Sequence, residues 1–241
     1  MSVDVAVHEH HGFEPFAMAD PFPIYAELRR EEPVMFDERI GYYVVTRYDD
    51  IKATFANWEQ FSSENAQAPV RPAGEPAKRI MTEGGFTAYS GLSARVPPEH
   101  TRIRDVATKA FTPRRYKVLE PLIRENVDRL IDRMLAEGAP ADIVASLAWD
   151  VPTITILTLL GVPIDMIPQV KEWAGSRAAM TWGDLSDEDQ IPHAINLVEY
   201  WNYCQQLVSE AKANPGDDLV GDMVRLQAEG NEINDHEIAS F

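Results

Sequence analysis

One cysteine, Cys204, is the chain's whole supply of thiol. No disulfide framework can form within it, and a lone thiol fits a reducing compartment. The first 22 residues, "MSVDVAVHEHHGFEPFAMADPF", lack a basic stretch followed by an apolar one, so they are not a secretory signal. Long uncharged apolar runs are missing as well. The longest candidate, Ile143 to Leu160, contains Asp150 and Pro152, which favours a buried helix over a membrane span. Basic residues are scarce: 22 Lys and Arg stand against 39 Asp and Glu, a net charge of −17. That argues against nucleic acid or an anionic membrane as the main partner, because both need a basic face. The expectation is a cytoplasmic protein whose partner the acidity does not name.

What is present suffices for a real core. The 241 residues, 45% hydrophobic and 25% charged, allow one large domain or two small ones. After an N-terminal arm (residues 1–19), "ADPFPIYAELRREEPV" predicts a helix between Asp20, a candidate cap, and Pro33. "GYYVVTRY" predicts a strand with "VMFDE" as its hairpin partner. "DDIKATFANWEQF" predicts a short helix capped by Asp49 or Asp50. Residues 62–98, rich in Pro, Gly, Ser and Ala, show no clear period and read as a long loop, with Phe86 and Tyr89 placed to pack over something.

From Pro97 onward the pattern is helical. Leu122, Ile123, Val127, Leu130, Ile131, Met134 and Leu135 follow a 3.6-residue period that Gly138 ends. "DIVASLAWDVPTITILTLLGVP" is apolar nearly all round, which predicts a buried helix. Two helices bracket "MTWGDLSDEDQIP", the second running to about Ala213, and another runs through "DDLVGDMVRLQAEG". At the end, Asn234 and Glu237 have capping-box spacing before Ile238 and Phe241. The helix so begun is too short to be stable alone, and the C-terminus reads as an interruption.

One segment stands apart in charge. "EHTRIRDVATKAFTPRRYK", residues 99–117, holds six of the 22 cations, and from 100 to 117 they face one acid, Asp105. His100 and Arg104 fall at i and i+4 on one helix face, and both donate hydrogen bonds to anions. Arg102, Lys109, Arg114, Arg115 and Lys117 add positive field. The physical expectation is a carboxylate or phosphate site. Spacing alone leaves an ordinary solvated helix face open as the alternative.

The segment "PPEHTRIRDVATKAFTPRR" resembles the C-helix signature of the bacterial cytochromes P-450, the heme-thiolate monooxygenases. "DPFPIYAELRREEPV", "GYYVVTRYDDIKATFANWEQFSS", "LLGVP" and "NPGDDLVGDMV" resemble further elements of that family in its own order, over nearly the whole chain. "FSSENAQAPVRP" and "AAMTWGDLSDEDQIPHAINLVEYWNYCQQLV" are similar to the self-sufficient class, whose heme domain is fused to a reductase carrying FMN and a 2Fe-2S cluster. The resemblance implies a mainly α fold with a small β-sheet. Residues 20–241 would be the N-terminal portion of one heme-binding domain, with 62–98 as its B–C loop region. It implies heme b, with His100 and Arg104 bonded to a propionate, and a substrate pocket drawing on Phe86, Tyr89, Leu92, Met180 and Trp182. It implies O2, a small organic substrate, and electrons from NAD(P)H through a fused or separate reductase or ferredoxin.

Two family motifs have no match here: the heme-ligand cysteine in its Gly-rich loop and the oxygen-activating Ala-Gly-x-Glu/Asp-Thr. Both are expected beyond Phe241, so these residues alone would not hold thiolate-ligated heme. Cys204, among aromatics on a helical pattern, reads as a packed thiol. The run His8, Glu9, His10, His11 reads as an arm with at most adventitious metal affinity. Two other functions stay open on sequence: a non-catalytic helical module whose cationic helix binds an acidic partner, and a heme protein driven by peroxide.

Overall fold

The computed structural model describes residues 13, 14, 16, 18–87 and 91–241. The His8–His11 run and Tyr89 lie outside them. The architecture is mainly helical, with one two-stranded antiparallel sheet.

Helix α1 (Phe22–Glu31) begins where the Asp20 carboxylate accepts the Phe22 amide at 3.2 Å. Its buried Leu28 packs with Phe13 and Met35. Strands β1 (Val34–Asp37) and β2 (Tyr42–Val45) pair with Val34 opposite Val45 and Asp37 opposite Tyr42. Asp37 is buried and accepts the Arg39 and Ile40 amides and the Arg39 guanidinium. Arg39 also reaches the Phe13 carbonyl and pairs with Glu14 at 2.8 Å, so the end of the arm is fastened to the hairpin. Helix α2 (Tyr48–Ala56) starts two or three residues earlier than the cap reading placed it. Arg47 is its N-cap, and Asp49 and Asp50 sit inside the first turn, where their charge suits the helix N-terminus.

Residues 62–98 are not one long loop. Helix α3 (Glu75–Glu83) lies within them, opened by Gly74 and Pro76 and closed at Gly84, and a 3-10 turn covers Leu92–Ala94. Ala77, Ile80 and Met81, spaced i, i+3, i+4, turn toward Ala194 and Leu197. A Cβ on Gly84 would run into the side chain of Val198, so glycine there lets the helix end close on its neighbour.

Helix α4 (Glu99–Ala110) leads directly into α5 (Pro113–Glu137), which runs eight residues further back than its apolar period suggested and passes through Pro121 unbroken. Gly138, at φ +90°, ends it. The stretch 143–160 is a second correction. A π-helical turn (Val144–Ala148) precedes α6 (Asp150–Leu159), and Ile143, Val144, Trp149 and Ile156 stay exposed. Leu157 and Leu159, two residues apart and so on opposite sides of the helix, are buried in two different clusters. An all-round apolar helix needs neighbours on every side, and among the described residues α6 has them only where Leu157 and Leu159 are buried.

Helix α7 (Ile167–Trp182) packs along α8 (Gln190–Ala213), with Trp173 between Tyr200 and Tyr203 and its indole N–H donating to Glu199 at 3.2 Å. Helices α9 (Leu219–Ala228) and α10 (Asp235–Ser240) close the main core, where Ile103 and Val106 meet Leu219, Met223 and Ile238. The capping box at Asn234 and Glu237 is formed as its spacing predicts. Among the described residues no helix is long and apolar enough to cross a membrane.

Candidate functional site

Helix α4 carries the first candidate group. Glu99 occupies its first turn, and His100 and Arg104 lie one turn apart on one face, His100 half-buried and Arg104 exposed. No hydrogen bond or ion pair joins either side chain to another described residue. Three other cations of the stretch behave differently. Arg102 grips the Glu237 carboxylate at 2.5 and 3.0 Å and reaches the Glu232 carbonyl. Lys109 donates to Asn231 at 2.6 Å, and Arg115 pairs with Asp217 at 3.0 Å and with Asp222. Lys117 is exposed. The uniform positive field expected from sequence is therefore divided. Three cations clamp α4 and α5 to the acidic segment 217–237, and His100 and Arg104 are left as a donor pair.

The second candidate is a cavity of about 220 Å3 between α3, the residues before it, and α7. Its wall is stitched across more than 100 residues of sequence. The Val70 amide donates to the Thr181 carbonyl at 3.0 Å, Arg71 pairs with Asp184 at 2.7 Å, and the Gly74 amide donates to buried Gln190 at 2.8 Å. Gln67 clips the joint: its carbonyl oxygen accepts from Arg177, and its amide donates to Ser93 at 2.6 Å. Phe86, Met81, Ala73, Pro69, Met180 and Leu197 supply an apolar lining, with Gln67, Thr181 and Arg177 as its polar part.

Of the pocket residues named from sequence, Phe86 and Met180 line this cavity. Leu92 instead packs against the α4–α9 core, and Trp182 is 58% exposed at the end of α7. Gln67, Met81, Arg177, Thr181 and Leu197 were missed. The i, i+3, i+4 spacing of Ala77, Ile80 and Met81 was the available signal for α3. Nothing in sequence joins Gln67 to Arg177.

A second, narrower cavity of about 90 Å3 lies where α6, α8 and α10 meet, bordered by Cys204 and again by Arg177. Burial pushes the Cys204 thiol up to about 12, against a smaller opposing pull from Arg177. It is a packed thiol and no thiolate donor. Among the described residues, no three His, Cys, Asp or Glu side chains gather into a metal site. The described residues thus offer one donor pair suited to an anion, His100 and Arg104, and no thiolate.

No protein-family model matches the chain. It superposes on the solved structure of cytochrome P450 CREJ in complex with (4-ethylphenyl) dihydrogen phosphate, with a TM-score of 0.91 and 67% identity over 96% of this chain and 58% of that one. The chain has the bacterial cytochrome P450 heme-domain fold. An intact type IV self-sufficient cytochrome P450 monooxygenase matches with a TM-score of 0.85 and 28% identity, covering 96% of this chain and 31% of that one. Among curated P450 relatives, the monooxygenase PikC of Streptomyces venezuelae is 33% identical over 230 residues, 91% of this chain and 50% of PikC. The chain spans about half the length of the curated relatives it matches.

Proposed function

We propose that residues 20–241 are the N-terminal portion of one heme-binding domain, in a protein that inserts one atom of O2 into a small organic substrate with electrons from NAD(P)H. The likeness to P450 CREJ, at 67% identity over 96% of the chain, carries this reading. Heme b, held by a cysteine outside these residues, supplies the activation of O2. His100 and Arg104 donate hydrogen bonds to its propionate edge. The α3–α7 wall holds the substrate in an apolar space and excludes water from it.

The ligand of the CREJ structure supports a small aryl phosphate as substrate. A cavity of about 220 Å3 agrees with a single-ring compound, since pockets for drug-sized ligands run from about 300 to 1,000 Å3. Electrons come through a reductase or ferredoxin, fused or separate. The similarity to a self-sufficient relative supports FMN and a 2Fe-2S cluster as the carriers. The reading as a module that binds an acidic partner loses ground, because Arg102, Lys109 and Arg115 are already engaged within the chain.

Heme retention tests the donor pair. In the heme-loaded protein, His100→Ala with Arg104→Ala should lower the ratio of Soret to protein absorbance by about half or more after gel filtration, each lost charge-assisted bond contributing about 1.5–3 kcal/mol. An unchanged ratio removes the propionate assignment. A reduced, carbon monoxide-treated sample without the long-wavelength Soret band of thiolate-bound heme would remove the monooxygenase reading.

A further inference from the structure

We infer that the narrow cavity where α6, α8 and α10 meet is a binding site for a small neutral molecule, held by a hydrogen bond from the Tyr203 hydroxyl to its oxygen. Tyrosine ordinarily buries its ring and keeps its polar tip wet. Tyr203 is turned the other way: the residue as a whole is half-buried, yet its hydroxyl oxygen is shut off from solvent. Among the described residues that oxygen has no hydrogen-bond partner. A buried hydroxyl without a partner is disfavoured, so a guest that supplies one gains by it. Thr158 has the second such oxygen among the described residues. It carries less meaning, because a helical threonine turns readily to a carbonyl one turn back, as Thr153 and Thr155 do toward Trp149 and Val151. Tyr203 has no such local acceptor. Its hydroxyl stands at the far end of a rigid ring, which packs 5.6 Å from the ring of Trp173.

The walls select the guest. Leu157, Leu160, Val170, Leu207, Val220 and Ile238 give the cavity an apolar surface, against which a charged molecule sheds its water at a cost. Burial raises the Tyr203 pKa, with Cys204, Glu210 and Asp165 adding to it, so the hydroxyl keeps its proton and donates. An apolar cavity of about 150 Å3 holds benzene, so one of about 90 Å3 calls for roughly four or five non-hydrogen atoms. A short ketone, ether or alcohol has that size, with an apolar body and one acceptor oxygen. The site stands apart from the α3–α7 cavity, Arg177 being the one residue that borders both. It does not depend on the aryl phosphate reading. Ile238 on α10 and Leu157 on α6 meet across it, so a bound guest also ties α10 to the older part of the core.

Three molecules of one shape test the assignment: acetone, isobutene, which lacks the acceptor, and acetate, which is charged. In saturation-transfer NMR titrations of the heme-loaded protein, acetone should bind with a Kd in about the millimolar range, more tightly than the other two. Tyr203→Phe should weaken acetone about fivefold and leave isobutene no weaker. Equal weakening of both, or an unchanged acetone affinity, overturns the assignment. Acetate binding more tightly than acetone overturns it too, because the site would then be one for anions. If none of the three binds the wild type, water alone satisfies the hydroxyl and there is no such site. Should Tyr203→Phe fail to fold, the wild type decides by ultraviolet resonance Raman spectroscopy, which reads the hydrogen bonding of tyrosine. Acetone must then change the tyrosine bands and isobutene must not; any other pattern sinks the assignment.

Discussion

Glu237 sits near the end of the chain with 7% of its side chain exposed, and its carboxylate joins three parts of the structure. It caps its own helix by accepting the Asn234 amide at 3.0 Å, grips Arg102 on α4, and lies 3.8 Å from Arg95. Burial works to raise its carboxyl pKa. The bonds from Arg102 and the Asn234 amide, with the charges of Arg102 and Arg95, outweigh that and hold it below the usual range. A folded value below the unfolded one means the stabilisation is complete above about pH 4.3 and is lost as pH falls through the folded value. Glu237→Gln keeps the shape and discards the charge, so it should cost about 2 kcal/mol at pH 7. Thermal melts from pH 7 to pH 3 check the sign. The gap between wild type and variant should be widest at pH 7 and narrow below about pH 4. A gap that stays constant over the whole range would show that the carboxylate acts through packing and not through charge.

Helix α3 shows how an element can be written in the sequence and still be overlooked. Gly74, Pro76 and Gly84 mark its ends and Ala77, Ile80 and Met81 its face, yet nine residues with a single apolar turn hide easily in a Pro- and Gly-rich stretch. By contrast, α5, α8 and the capping box at Asn234 were legible because their signals are local and repeat, or fall at a fixed spacing. Helix α6 was misread for another reason: composition reports how many neighbours a helix is suited to, not how many the described residues give it. Of the cavity's lining, Phe86 and Met180 were named from family resemblance, whereas the Gln67–Arg177 contact spans 110 residues of sequence and has no local signature. The importance of α3 can be tested at the element scale. Ala77 and Ala194 are fully buried in one cluster, so the two helices approach through small side chains. Ala77→Leu should push α3 off α8, costing about 1–3 kcal/mol. Affinity for an aryl phosphate should fall with it, because Met81 and the chain leading to Phe86 move together. A variant that loses stability and keeps full affinity would show that α3 does not shape the cavity.

Across the whole molecule the question is why so acidic a chain concentrates cations at 99–117. The structure answers with a second acidic stretch. Residues 217–237 carry seven carboxylates, and Arg102 and Arg115 each meet acids from it, with Lys109 donating to Asn231 in the same stretch. The cationic stretch is mostly internal neutralisation that brings the end of the chain onto α4 and α5. Two electrostatic effects then oppose each other when salt is added. Screening weakens exposed pairs such as Lys212–Asp235 and Arg71–Asp184, each worth up to about 1 kcal/mol. It also relieves the self-repulsion of a net charge of −17. The pairs that hold the termini of α4 and α5 are partly shielded from screening, with Arg115 11% and Arg102 27% exposed. Relief of repulsion should therefore win. The melting temperature at pH 7 should rise by a few degrees between about 10 mM and 300 mM NaCl, as the screening length falls from about 30 Å to well under 10 Å. Arg115→Gln should lower it by a similar amount at both ends of that range, because its pair with Asp222 is mostly buried, with the two side chains 11% and 24% exposed, and its bond to the exposed Asp217 adds little in water. A melting temperature that falls with salt would mean that the exposed pairs outweigh the repulsion, and that the acidity of the chain is stabilising it.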